Sequence, residues 1–177
     1  MLKAAGGFDA IFAATRSWFE YYQVLGRDLA RGYLDAIPKY LVPYASYCFH
    51  TGDDGYFTPE RRQLLREVAR RIPGLRAAQR DERLRASGLY GVLDPSGTMD
   101  NGSDYLLVDN FAALHGLAAY RWLCARLGDQ AEEHWAQQEM EDLNACLNVA
   151  LQVAMTRRGC DYYNSVLLKD QHPSWNI

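Results

Sequence analysis

Between Ser103 and Leu127 the apolar positions fall on two helical stripes. Leu107, Phe111, Leu114, Ala118, Trp122 and Ala125 form one, and Leu106, Ala113, Leu117, Cys124 and Leu127 form the other, at the steps of three and four that put side chains on one helix face. A helix apolar over most of its circumference has to be covered nearly all round. Ser103 stands where an N-cap is needed, Asp104 falls in the first turn where the macrodipole favours an acid, and Gly128 supplies a left-handed stop. The pattern therefore predicts the most buried helix of the chain over 104–127. From Gln130 to Thr156 the pattern changes, because Ala136, Met140, Leu143, Leu147, Ala150 and Ala154 recur on one side with Glu132, Glu133, Gln137, Glu141 and Asp142 on the other. This second helix has one dry and one wet face, and the turn at Leu127-Gly128-Asp129 packs it antiparallel on the first.

An inner helix covered all round followed by an outer helix with one dry face is the unit of a two-layer helical array. Similar punctuation occurs earlier. Trp18 to Asp28 lines up with Tyr120 to Gln130 at a shift of 102 residues, sharing the Leu-Gly turn. A helix follows from about Asp28 to His50, broken or kinked near Pro38 and Pro43, and Thr51 to Gly55 is a turn in which Asp53 and Asp54 are turn formers. Thr58-Pro59 opens a further helix, with Leu64, Leu65, Val68 and Ile72 inward and Pro73-Gly74 as its stop. No alternation of a β-strand is sustained. The fold class expected is all-α: one domain over 1–177, with hairpins at about 9–50, 59–85 and 104–156, a loop at 87–103 and an irregular tail at 157–177.

The loop Ser87 to Ser103 holds four glycines, a proline and several polar or acidic side chains directly before the buried helix, which marks it as the candidate binding loop. Asp100, Asp104, Asp109 and Asn110 bracket that helix's start. Carboxylates so gathered can cap, bind hydroxylated ligands or act as a general acid/base pair. Capping accounts for Asp104, whereas Asp109 and Asn110 lie a turn inside an apolar helix and either line a polar cavity or satisfy a neighbouring loop backbone. His115 reads as a satisfied core histidine.

Composition narrows the choices. The net charge of −3 gives no global positive field toward nucleic acid, although nine arginines lie between Arg61 and Arg85. They read as the solvated face of an outer helix, since no aromatic ladder or glycine-rich loop accompanies them. No window is apolar for long enough to span a membrane. Cys48, Cys124, Cys146 and Cys160 form no CxxC pair and the histidines no HxxxH spacing, so neither zinc nor another cofactor is expected. In a 104–156 hairpin Cys146 falls roughly 20 Å from Cys124, too far for a disulfide, which points to a reducing, cytoplasmic setting. No nucleophile elbow, phosphate loop or dinucleotide fingerprint is present.

The run Tyr90-Gly91-Val92-Leu93-Asp94-Pro95-Ser96-Gly97, followed by Asp104-Tyr105-Leu106-Leu107-Val108-Asp109-Asn110-Phe111-Ala112-Ala113-Leu114 and closed by Leu127-Gly128-Asp129, resembles the loop-helix-turn unit of the six-hairpin (α/α)6-toroid glycosidases. Gly26-Arg27-Asp28, Ile37 to Leu41 and Asp53 to Pro59 resemble their preceding hairpin. The resemblance implies a toroid whose loops point into a carbohydrate-binding funnel, and a glycoside hydrolase using paired carboxylates on an oligosaccharide substrate. By position it assigns Asp100 and Asp104 as catalytic, and Asn101, Tyr105, Asp109 and Asn110 as sugar-binding. The twelve helices of a toroid do not fit in 177 residues, so the expectation is a half-toroid fragment, weakly active or inactive alone, that self-associates or pairs with a second half. The alternative is a helical-repeat interaction module without catalysis.

Overall fold

The computed structural model describes residues 34–98, 102–162 and 166–168. The predicted helix before residue 34, the loop residues Asp100 and Asn101, and the end of the tail lie outside the described residues. The described chain is helical, as expected. α1 spans Ala36–Lys39, α2 Leu41–Thr51, α3 Pro59–Ala69, α4 Leu107–Arg126 and α5 Gln130–Arg158, with a short antiparallel hairpin of β1 (Ser96–Thr98) and β2 (Gly102–Asp104) before α4. Strands of three residues are too short to show an alternating pattern, so the hairpin was not legible.

α4 is the centre of the assembly, with α5 antiparallel along it and α1 and α2 packed on another side. One core gathers Tyr44, Leu65, Ile72, Leu93, Leu117 and Leu143; a second, at the other end of α5, gathers Leu89, Val92, Leu107, Leu147 and Leu151. The break between α1 and α2 falls at Tyr40, four residues before Tyr44 and next to Lys39, whose carbonyl the Pro43 ring displaces and leaves without its helical donor. Gly116 lets α1 approach α4: a Cβ there would stand 2.5 Å from the Pro38 carbonyl oxygen.

α4 starts at Leu107, three residues later than the spacing predicts, and Asp104 lies in β2 instead of the first turn. Tertiary pairing overrides the capping signal. Leu106 bridges to Val166 and the Tyr105 carbonyl accepts from Leu167 N–H at 3.0 Å, which holds 104–106 extended. The end is as read, with Gly128 at φ 75° and Asp129 capping α5 through Glu132 N–H. α3 opens as expected with Pro59 at its first position, and the Thr58 side chain caps it by accepting from Arg61 N–H, but the helix ends at Ala69. From there to Leu84 the chain runs through 3₁₀ turns, Ile72–Arg76 and Glu82–Leu84, and does not form the second arm of a helical hairpin.

Two expectations about surfaces are corrected. α4 is not covered all round, since Val108 and Phe111 are about half exposed and Phe49 of α2 stands 69% exposed beside the same face. His115 lies on that face one turn after Phe111 and is exposed, not a core histidine. The second correction concerns the arginines. Acids pair with most of the run: Arg66 with Asp129, Arg70 with Glu132, Arg76 with Glu139, Arg80 with Asp142, Arg83 with Asp81 and Arg85 with Glu82. Four of those acids belong to the α5 turn and wet face, so the segment after α3 is riveted to α5 and is no solvated helix face. Glu132 is accordingly buried, holding Arg70 at 2.7 Å and accepting from Tyr120 Oη at 3.0 Å.

Candidate functional site

The loop that the sequence marks divides into two parts. Its second part is pinned inward. Asn110 is fully buried, its Oδ1 accepting from Leu93 N–H at 3.0 Å and its Nδ2 donating to the Leu106 carbonyl at 2.9 Å. Of the two alternatives open for this residue, the structure shows the satisfied loop backbone. Asp109 is buried and accepts from Ser96 Oγ. Burial pushes its carboxyl above the ordinary carboxylate range, and the Ser96 hydroxyl pulls only partly the other way. Asp104 is buried as well, its Oδ1 accepting from Tyr105 N–H at 2.6 Å and Leu168 N–H at 3.3 Å. Tyr105 donates to Gln79 Oε1 at 3.1 Å, and Gln79 in turn donates to Asp94. These four residues stand together around the entry to α4, with their polar groups directed at the protein's own backbone and side chains.

The first part of the loop lines a cleft. A cavity of about 480 Å³ lies between the segment Arg80 to Tyr90 and the α5 residues Asp142, Ala145, Cys146 and Val149. Its existence depends on two glycines that lay the loop directly on α5. Gly91, at φ 71°, is so close that a Cβ would stand 2.6 Å from Cys146 Sγ, and a Cβ on Gly88, at φ 75°, would stand 2.8 Å from Val153. A side chain at either position would lift the loop. Beneath the cleft the fully buried Arg76 donates from Nε to the Gly91 carbonyl, reaches Glu139 at 2.9 Å, and places its third nitrogen 2.9 Å from Asp142 Oδ2. Asp142 also pairs with Arg80. Partial burial pushes the Asp142 pKa up, but the Arg80 bond and the Arg76 charge outweigh it and hold the carboxyl below its ordinary value.

The lining of the cleft is largely apolar, and the charges in it are paired. Of the lining side chains, Arg80 pairs with Asp142, and Arg85 pairs with Glu82 outside the cleft; Tyr90 supplies an aromatic ring, with the Arg85 guanidinium 3.8 Å from its centroid. Cys146 offers no reactive thiolate, since burial raises its pKa more than Arg76 lowers it. Further along the same face of α5, Gln152, Val153, Thr156 and Arg157 form with Ala86 and Ser87 a second, shallower depression of about 610 Å³. The two lie one after the other along α5, on either side of the point where Gly88 packs on Val153.

A third depression of about 330 Å³ lies between α2 and α4, lined by Phe49, His50, His115 and Trp122 among others. Among the described residues no three His, Cys, Asp or Glu side chains come together as a metal site, and no helix is long and apolar enough to cross a membrane. Compared with family models, with curated proteins and with solved structures, the chain matches none.

The glycine-rich composition marks the loop, and Tyr90 and Gly91 lie in the motif that carries the resemblance. Arg76, Arg80 and Asp142 escape sequence reasoning as a group because they meet across more than sixty residues of sequence. The one local signal is the pairing of an arginine run with an acidic helix face, which gives neither register nor depth.

Proposed function

We propose that this chain is a carbohydrate-binding helical protein that takes a neutral sugar chain along the Tyr90 cleft. The observation that carries this reading is the fixed Arg80–Asp142 pair beside the Tyr90 ring. A hydroxyl donates and accepts at once, so a pair offering N–H donors and a carboxylate acceptor side by side matches a sugar's hydroxyls. A phosphate would meet Asp142 there, with Arg80 and Arg85 already paired to acids. The ring, Ala145 and Val149 suit the apolar face of a sugar.

Inverting hydrolysis needs two carboxyl groups roughly 6.5 to 9.5 Å apart, one of them protonated. Asp142 is the one carboxylate among the described residues that lines this cleft, and its arginines keep it ionised. The reading is therefore one of binding without turnover. The resemblance to six-hairpin toroid glycosidases fits the same ligand class, with α4 and α5 as one unit of such a ring and any second catalytic carboxyl outside this cleft. Calorimetric titration against neutral oligosaccharides is expected to find binding that Asp142→Asn weakens by about 10- to 100-fold, the loss of a hydrogen bond to a charged group. Absence of binding to a folded wild-type chain overturns the reading. Tighter binding of phosphorylated sugars than of neutral ones replaces it with an anion site.

A second reading, an interaction module that pairs with a second copy of itself, is favoured by the exposed stripe Phe49, Val108 and Phe111. Light scattering at tens of micromolar is expected to show a dimer that Phe111→Ser dissociates; a monodisperse monomer removes this reading.

A further inference from the structure

This inference rests on the cleft being a sugar site and concerns its regulation. The two arginines beside Tyr90 differ in how they are held. Arg80 lies 5.9 Å from the ring centroid and is tied to Asp142, which the buried Arg76 also holds. It is part of the fixed wall. Arg85 lies 3.8 Å over the ring, yet its side chain is 58% exposed and its ion-pair partner is Glu82, 69% exposed, in the same turn. Exposed pairs three residues apart are weak and screened by salt, and so is a cation–π contact in water. We propose that Arg85 is a displaceable cover on the Tyr90 ring, latched by Glu82, so that the cleft occludes its own stacking surface until a ligand moves that side chain.

A stacking sugar and a stacked guanidinium compete for an aromatic face, and here the guanidinium is attached to the chain at high effective concentration. The cover therefore lowers the affinity for any ligand that uses the ring, and loosening the latch restores it. A neutral ligand has no salt dependence of its own through phosphate or carboxylate contacts. Salt then acts on binding through the Arg85–Glu82 latch, and moderate salt tightens the complex.

Two measurements test this, one of them without sugar. Photo-CIDNP with a flavin dye reads the accessibility of tyrosine rings, and Tyr90→Phe identifies the Tyr90 signal by difference. Arg85→Ala and Glu82→Gln are expected to raise that signal several-fold, whereas Arg83→Ala, whose side chain is 89% exposed and pairs with Asp81, leaves it unchanged. In titrations with a neutral oligosaccharide, Arg85→Ala is expected to tighten binding by about 2- to 10-fold, the factor belonging to a surface cation–π contact and a surface ion pair. An unchanged Tyr90 signal in Arg85→Ala overturns the cover. So does weakened sugar binding, which would make Arg85 a clamp on the ligand. A raised signal with no sugar bound by either protein keeps the cover and overturns the carbohydrate reading.

Discussion

Replacing Arg76 by methionine is expected to cost about 3–5 kcal/mol of folding stability, a large part of what a domain of this size holds in reserve. Methionine keeps the apolar stem and much of the length, so the loss isolates the guanidinium. That group donates to the Gly91 carbonyl and reaches Glu139 at 2.9 Å, and it is fully buried while doing so. Glu139 is only 14% exposed and would be left as a charge without a partner, whereas Asp142, 43% exposed, can return to water and keeps Arg80. Arg83→Met is the comparison, because Arg83 makes its ion pair, with Asp81, at the surface. Its cost should be much smaller, because an exposed ion pair is screened by water. Urea denaturation followed by circular dichroism separates the two, and equal small costs would show that the buried arginine is not what joins the loop to α5.

The same residue explains which parts of this protein can be read from its sequence. α4 and α5 are long, their apolar steps are regular, and Gly128 stops the first where a left-handed residue is required; local rules suffice for such elements. The start of α4 is set by Leu106 pairing with Val166, sixty residues on, and no cap signal at Ser103 can report a partner that distant. The arginine run poses the same problem in another form. On a helical wheel it looks solvated, and only the approach of α5 reveals that Arg76 is buried and Arg80 is part of a wall. For the loop, composition marks the right segment but points to its acids, when the acid that lines the cleft is supplied by α5. A carboxylate in a glycine-rich loop is as useful for fixing the loop as for binding a ligand, and Asp104 serves its own backbone.

Asn110→Leu is expected to destabilise the fold by about 1–3 kcal/mol, because it leaves the buried Leu93 N–H without a partner and the Leu106 carbonyl with only the longer bond, 3.5 Å, from the backbone N–H of residue 110. Leu93 N–H and the Leu106 carbonyl both lie in the core and both bond to this one amide. Asn110→Asp separates the two bonds. The carboxylate still accepts from Leu93 N–H but cannot donate to Leu106, and burial raises its pKa above that in the unfolded chain. The folded state then holds the proton more tightly, so the variant is most stable at low pH, where the protonated acid can donate, and loses stability as pH rises through the raised pKa. Asp109→Asn, one residue earlier, has the opposite sign: it keeps an acceptor for Ser96 and removes a charge that burial already disfavours, so at neutral pH it is neutral or stabilising. Thermal melts across pH 4 to 8 read all three variants. Were this polar pair a sugar-facing one, Asn110→Leu would leave the melting temperature nearly unchanged and lower only the affinity for sugar, and that result would move the ligand from the Tyr90 cleft to the mouth of α4.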